Sequence, residues 1–415
     1  MPYVLGVDVG TTRTAAAVCR LDGAGRAEPE LVGLGGPGGG VASSLRLTAD
    51  GSFAVGEPGD PRWTAVGFAR RVGDGVPVVL GSEPCAAEEL TALMVLWVAG
   101  QVAEREGEPA ARIVLAHPPG WGPHAKGLVR RALRAVGLED VVLLAEPLAA
   151  AANHSFGRGP VGVFSLGSHA FSAAVVRPFE LVAWADGVDQ AAGADFDDLV
   201  FEHVRAALGR AFGELDAEDP RTRALRGRLR RDCEAAKRLL SGTFETAVPV
   251  HLPSGLVEVP LDRARFEELI RPSVEQAVSV FERVVRGAAL EATVLVGGSA
   301  RIPLISSLLP GRVVFEAAPE SSAVKGAAVA GRQLLLGPDE PEPIETSVLV
   351  RDDDPLLRFP VGGAPAPDND CTAPPPRPPI EVTPLELPER RSVKRVVRGL
   401  VSAGRSRDRK PEDGR

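Results

Sequence analysis

Two stretches far apart in the chain repeat one pattern. Residues 3–20 read YVLGVDVGTTRTAAAVCR and residues 160–177 read PVGVFSLGSHAFSAAVVR, which aligns Asp8 with Ser165, Gly10 with Gly167, Val18 with Val175 and Arg20 with Arg177. Each copy is two β-rich runs broken by a small-residue turn, Gly10-Thr11-Thr12 or Gly167-Ser168-His169, the pattern of a hairpin. Similar hairpins opening two halves of a chain predict a duplicated fold with a cleft between lobes. Two unrelated valine- and alanine-rich hairpins would read alike, so the rest of the sequence has to decide.

Up to Leu336, apolar runs alternate with helical patterns, as in an α/β fold. Residues 124–136 carry Leu128, Ala132, Leu133 and Val136 on one face before Gly137, a helix with a glycine stop. Residues 141–144 read as a short buried strand, followed by Glu146-Pro147 and an alanine-rich helix start. Residues 226–240 read as a charged helix, 293–296 as a strand entering Gly297-Gly298, and 323–335 as a small-residue helix. Beyond Leu336 proline becomes dense, with Pro374-Pro375-Pro376 and an acidic run at 352–354. Residues 337–389 are therefore expected to be a disordered linker and 390–415 a basic tail. The domain limits expected are 1–160 with a return of 320–336 for one lobe, and 161–319 for the other.

Composition excludes several classes. With 44% hydrophobic and 25% charged residues the chain is not globally disordered, and a net charge of -8 argues against a chain-wide nucleic-acid surface. Cys19, Cys85, Cys233 and Cys371 form no CxxC pair, so neither a disulfide framework nor a zinc site is indicated. The start MPYVLGVDVG has no basic segment ahead of an apolar run, and the apolar stretch 90–102 is broken by Thr91 and Gln101. A soluble, cytoplasmic protein is the expectation.

Three segments carry chemistry. In the first hairpin Gly10 lets a ligand approach the backbone, and the N–H groups of the turn with the Thr11 and Thr12 hydroxyls can cradle phosphate oxygens. Asp8, just before the turn, offers a hard oxygen ligand for magnesium. Residues 295–303, LVGGSARIP, form a strand, a glycine pair and a helix start, where Arg301 can lie on a purine face. Residues 230–241, RRDCEAAKRLLS, place Glu234, Lys237, Arg238 and Ser241 on one helix face, suited to a ribose and an adenine edge. Each segment also has a plain structural reading: a bare hairpin, an ordinary strand-to-helix turn, a solvated ion-paired face.

In order, however, these motifs resemble the nucleotide-binding domain of heat-shock-protein-70 (DnaK-type) chaperones over about residues 3–336. GVDVGTT resembles the first phosphate motif, HPPGW with LRAVGLEDVVLLAEPLAAAA the segment ending NEPTAAA, and GADFDDLVFEHV the motif GGEDFDN. RLRRDCEAAKRLLS resembles the adenosine helix, and VLVGGSARIPLISSLL is nearly the family sequence. The resemblance implies an α/β actin-like ATPase fold, two lobes of duplicated RNase H-like subdomains around a cleft for ATP or ADP and Mg2+. It implies phosphate contacts at Gly10, Thr11, Thr12 and Gly167, with Asp8 in the magnesium shell and Glu146 near the attacking water. Pro147 would relay nucleotide state between lobes. Glu234, Lys237, Arg238 and Ser241 would hold the adenosine, with Gly297, Gly298, Ser299 and Arg301 closing over it.

The second phosphate motif departs from the family's DLGGGTFD, reading Ser165-Leu166-Gly167-Ser168-His169-Ala170-Phe171-Ser172. Both aspartates are serine, and a hydroxyl is a poorer magnesium ligand than a carboxylate. His169 adds bulk where backbone should approach phosphate; protonated, it would instead pair with one. The family's catalytic lysine falls at Ala69 or Arg70. Strand periodicity for a peptide-binding domain is missing after Leu336, although residues 381–387, EVTPLEL, resemble the family's interdomain linker. Residues 392–403 read as a short basic amphipathic helix, so 390–403 would suit a protein partner or, less well, an anionic membrane surface; a solvated tail has the same composition. The expected function is a chaperone or quality-control ATPase with weak hydrolysis. The alternative is a nucleotide-binding pseudo-ATPase scaffold or sensor acting through its tail.

Overall fold

A computed structural model describes residues 1–337 apart from 22–27, 58, 155, 158, 179 and 188–190. The linker beyond Gly337, the stretch 381–387 and the basic tail with its partner segment 390–403 lie outside the described residues.

The first sheet contains β1 (Tyr3–Val9), β2 (Arg13–Arg20), β3 (Glu30–Val32), β4 (Arg112–His117) and β5 (Val141–Ala145). The second contains β6 (Val161–Leu166), β7 (Phe171–Arg177), β8 (Glu180–Asp186), β9 (Ala292–Val296) and β10 (Val313–Val314). Their orders are β5-β4-β1-β2-β3, with the short strand Val41–Ala42 also on β2, and β8-β7-β6-β9-β10. In each, the first hairpin strand pairs antiparallel with its partner and parallel with a later strand: Asp8 lies opposite Ala15 and Ala116, and Ser165 opposite Ser172 and Val296. The two sheets are thus one topology used twice, as the hairpin repeat predicts.

Both sheets are covered on both faces, which explains why their central strands read as nearly continuous apolar runs. Tyr3, Leu5, Val7 and Val9 face a core shared with α1 (Ala87–Glu106) and α2 (Pro123–Ala135), while Val4 faces the opposite cluster. In the second sheet Phe164 and Leu166 face the larger core with α4 (Gly193–Leu208), α5 (Pro220–Leu240) and α6 (Arg263–Val285), and Val161 and Val163 face the other way. Between the sheets lies α3 (Glu146–Ala152), against α7 (Ser322–Leu336). The contact is backbone to backbone: a Cβ on Gly326 would meet Ala149 O at 1.6 Å. This is why α7 is rich in glycine and alanine. The apolar stretch 90–102 belongs to α1, and among the described residues no helix is long and apolar enough to cross a membrane.

Two boundaries differ from expectation. The charged helix begins at Pro220, a turn and a half before residue 226, with the Asp219 carboxylate accepting the Arg221 N–H at 2.9 Å. Its arginine-rich first turns bury little, so apolar periodicity missed them, although an N-cap aspartate followed by proline marks the start. The segment 141–144 runs to Ala145 and passes into α3 without a loop.

Candidate functional site

The tips of the two repeated hairpins meet. Thr12 Oγ1 lies 3.1 Å from Ser168 Oγ, and His169 Nδ1 is 3.0 Å from the same serine oxygen. The first turn closes with Gly10 N–H donating to Arg13 O at 3.0 Å, and a Cβ on Gly10 would sit 2.8 Å from that oxygen. The second closes the same way, Gly167 N–H to Ala170 O at 2.9 Å.

The second turn is braced from two further directions. Gly193 N–H donates to Gly167 O at 3.0 Å and Ala194 N–H to Ser168 O at 2.6 Å, both from the first turn of α4. Ser299 Oγ donates to Gly167 O at 3.2 Å. Gly297 has φ +93 and a Cβ there would lie 2.4 Å from Leu166 O, so this glycine serves both a left-handed conformation and a close approach. The LVGGS segment therefore supports the second turn as well as facing the site.

Asp8 and Glu146 come together because β1, β4 and β5 run parallel and α3 starts where β5 ends. Burial pushes the Asp8 carboxyl up to about 6. Glu146 is pushed up to about 8, by burial first and then by the Asp8 charge. Two desolvated carboxylates, the second raised further by the charge of the first, are hard oxygen donors, and magnesium is characteristically held by one or two carboxylates plus substrate phosphates. The donor set fits that ion. Three-ligand clusters of His, Cys, Asp or Glu are absent among the described residues, so the protein alone offers no cage. Beside them His117 is buried, stacked on Trp121 and hydrogen-bonded at 2.7 Å to Pro118 O; burial holds it at about 4, so it is neutral.

The face of α5 is only partly as open as the helix periodicity suggests. Glu234 and Arg238 pair with each other at 2.5 Å, and Ser241 caps the helix. Lys237 is buried, with its ammonium 2.8 Å from Asp197 Oδ1 and donating to Gly193 O at 2.6 Å. Its charge is thus committed to the fold. Arg301 is gripped by Glu320 through two hydrogen bonds of 3.0 and 2.7 Å, which fix the guanidinium plane at the end of the 3-10 turn Gly298–Arg301.

The two residues at the expected lysine position differ in their surroundings. Ala69 is buried in the lobe-I core, whereas Arg70 is exposed on the 3-10 turn Phe68–Arg71 and close enough to act on His169. Burial and then the Arg70 charge lower the His169 pKa against the opposing pull of Asp195 and Glu234. These influences favour the neutral ring, so they lend no support to a protonated His169 pairing with phosphate. Asp195, Asp197 and Gly193 were within the quoted GADFDDLV motif but carried no assigned role. Glu320 gave no sequence signal, because its partner lies across a fold contact.

A family model described as Hsp70 protein matches residues 72–334, more than half of the chain. Chaperone protein DnaK of Elusimicrobium minutum (strain Pei191) is 27% identical over 339 residues, covering 74% of this chain and 53% of that protein. Chaperone protein DnaK of Thermoplasma volcanium is 25% identical over 368 residues, 80% of this chain and 59% of that protein. Heat shock 70 kDa protein BIP3 of Oryza sativa subsp. japonica is 33% identical over 238 residues, 54% of this chain and 35% of that protein. The chain spans about half the length of the DnaK relatives it matches.

Proposed function

The chain belongs to the Hsp70 family, with its actin-like fold, and we propose on that basis that it is an ATP-binding, chaperone-type ATPase unit whose hydrolysis is weak. The observation that carries this reading is the meeting of the two repeated turns next to the paired carboxylates Asp8 and Glu146. We take the lobes as 1–160 with 320–336, and 161–319.

In this reading the N–H groups and hydroxyls of Thr11 and Thr12 bind phosphate oxygens, while Gly10 and Gly167, whose own N–H groups close the turns, let the phosphates approach the backbone from the two sides. Asp8 would hold Mg2+, which when bound supplies charge neutralisation on the phosphates, with Glu146 beside it. Glu146 also accepts a proton from the water it orients. Arg70 supplies a cation facing the developing charge, in the place where the family resemblance implies a lysine. Glu234, Arg238, Ser241 and the Arg301 plane receive the adenosine, with Gly297, Gly298 and Ser299 beneath. Lys237 positions Gly193 and, through it, the second turn.

Weak turnover follows from the second turn, where Ser165, His169, Ala170 and Ser172 supply neither carboxylate nor cation. Each lost donor in such a site costs on the order of 10²–10³ in rate, and the losses need not multiply. The neutral His169 favours a second reading, a pseudo-ATPase that binds nucleotide without useful turnover and signals through its tail. Calorimetry with ATP and ADP, with and without magnesium, tests the first claim; single-turnover hydrolysis separates the two readings. Undetectable nucleotide binding at millimolar ATP sinks both. A protein partner at 390–403 and a cytoplasmic location belong to this proposal.

A further inference from the structure

Away from the turns, α2, the start of β4 and the approach to β5 line an open pocket of about 180 Å³. Three arginines line it. Arg130 and Arg134 project from α2 one turn apart, and Arg112 opens β4 where Val4 and Ile113 set the register with β1 and β5. Leu133 and Leu138 form an apolar floor. None of the three guanidiniums makes a hydrogen bond or ion pair among the described residues, although other arginines do so widely.

We propose that this pocket is a second anion site, built for a single phosphoryl group. A guanidinium cannot lose its charge and presents a planar fork of donors, so three around one small volume match a tetrahedral dianion with several acceptor oxygens. Glu139 and Asp140 line the same pocket, exposed and without an ion pair to the arginines, so three cations face two carboxylates and the local balance stays positive. Arg130 and Arg134 are exposed and Arg112 is half-buried, so a compact anion reaches the guanidiniums directly from solvent. This site is separate from the turns, and its assignment does not rest on the nucleotide reading.

The test is titration of the full chain, with ADP and magnesium in excess, by inorganic phosphate and by glucose 6-phosphate in a chloride buffer, followed by calorimetry. Saturable binding is expected, weakened at least tenfold in Arg112→Gln and in Arg134→Gln and unchanged in Arg131→Gln, whose side chain is not in the pocket. Nucleotide affinity should be the same in all three variants. Binding of both probes identifies a phosphomonoester site, and binding of phosphate alone identifies a site for the free ion. Arg134→Lys, which keeps the charge and loses the fork, should show a partial loss and guards against misfolding of the glutamine variants. Absence of saturable binding by the wild type overturns the proposal. So does binding that survives the double variant Arg112→Gln/Arg134→Gln.

Discussion

Thr12 and Ser168, at corresponding tips of the two repeated hairpins, bring their hydroxyls to 3.1 Å. This contact joins halves of the chain that are remote in sequence, and it places two short polar side chains where the duplicated turns converge. Residues that bind phosphate from opposite sides would have to straddle this point. A ligand entering there has to exchange a weak hydroxyl contact for its own hydrogen bonds, which costs little.

The substituted second turn leads to the first prediction. Turnover should lie far below that of an intact relative while nucleotide binding persists. Ser165→Asp, His169→Gly, Ala170→Thr and Ser172→Asp combined should raise single-turnover hydrolysis by at least tenfold, and more than any one change. Ser172 is buried, so a lone aspartate there should cost stability without a gain in rate. Wild-type hydrolysis as fast as that of an intact chaperone domain would contradict the argument.

The carboxylate pair makes nucleotide-free stability fall as pH rises. Asp8 and Glu146 have folded-state pKa values of about 6 and about 8, above the unfolded range near 4. Between these limits the folded state holds more protons than the unfolded one, so their destabilising effect grows with pH through this window. Glu146→Gln should raise Tm by a few degrees at pH 8 and hardly at pH 4. It should also abolish hydrolysis. Differential scanning calorimetry at the two pH values checks the sign.

Lys237→Ala should act on the fold before it acts on the ligand. The mutation leaves Asp197 half-buried without its partner and Gly193 O without a donor. Breaking such a pair costs about 3 kcal/mol or more. Adding Asp197→Asn should recover part of that loss in urea unfolding. Full stability of Lys237→Ala with reduced nucleotide affinity would instead make it a direct ligand contact.

Removing the charge of Arg70 should raise the His169 pKa. Arg70→Ala leaves burial as the main depressing cause and takes away the next. An NMR titration of the His169 ring should therefore move toward the ordinary value near 6.5. An unchanged midpoint would mean that Arg70 does not face the second turn.

Gly326→Ala should destabilise by about 3 kcal/mol, since a methyl there must push α7 away from the Ala149 carbonyl. Gly100, in α1, has open space around its missing Cβ and serves as the control: Gly100→Ala should be neutral or mildly stabilising. Thermal unfolding of the two variants decides.

How much of this was legible in the sequence depended on whether the signal was local. Hairpin strands, the glycine stop at Gly137 and the small-residue α7 were readable, because period, turn residues and close packing leave marks within a few residues. The proximity of Asp8 to Glu146 was implied by family order alone, since no local pattern tells that β1, β4 and β5 lie side by side. The partners of Lys237 were not legible for a related reason: helical spacing puts it on the face with Glu234 and Arg238, but Asp197 comes from α4. The Arg301–Glu320 grip and the arginine pocket depend on side chains from separate elements, which composition and periodicity do not encode.

The bracing of the second turn has an evolutionary meaning. Its shape is held by main-chain donors at Gly193 and Ala194, by Ser299 and by the close packing of Gly297 on Leu166, and none of these is a group that the altered motif replaces. Selection for a rigid scaffold and selection for bond cleavage therefore act on different residues. Substitutions at Ser165, His169, Ala170 and Ser172 can change the chemistry offered at the turn while the frame that shapes its backbone stays in place.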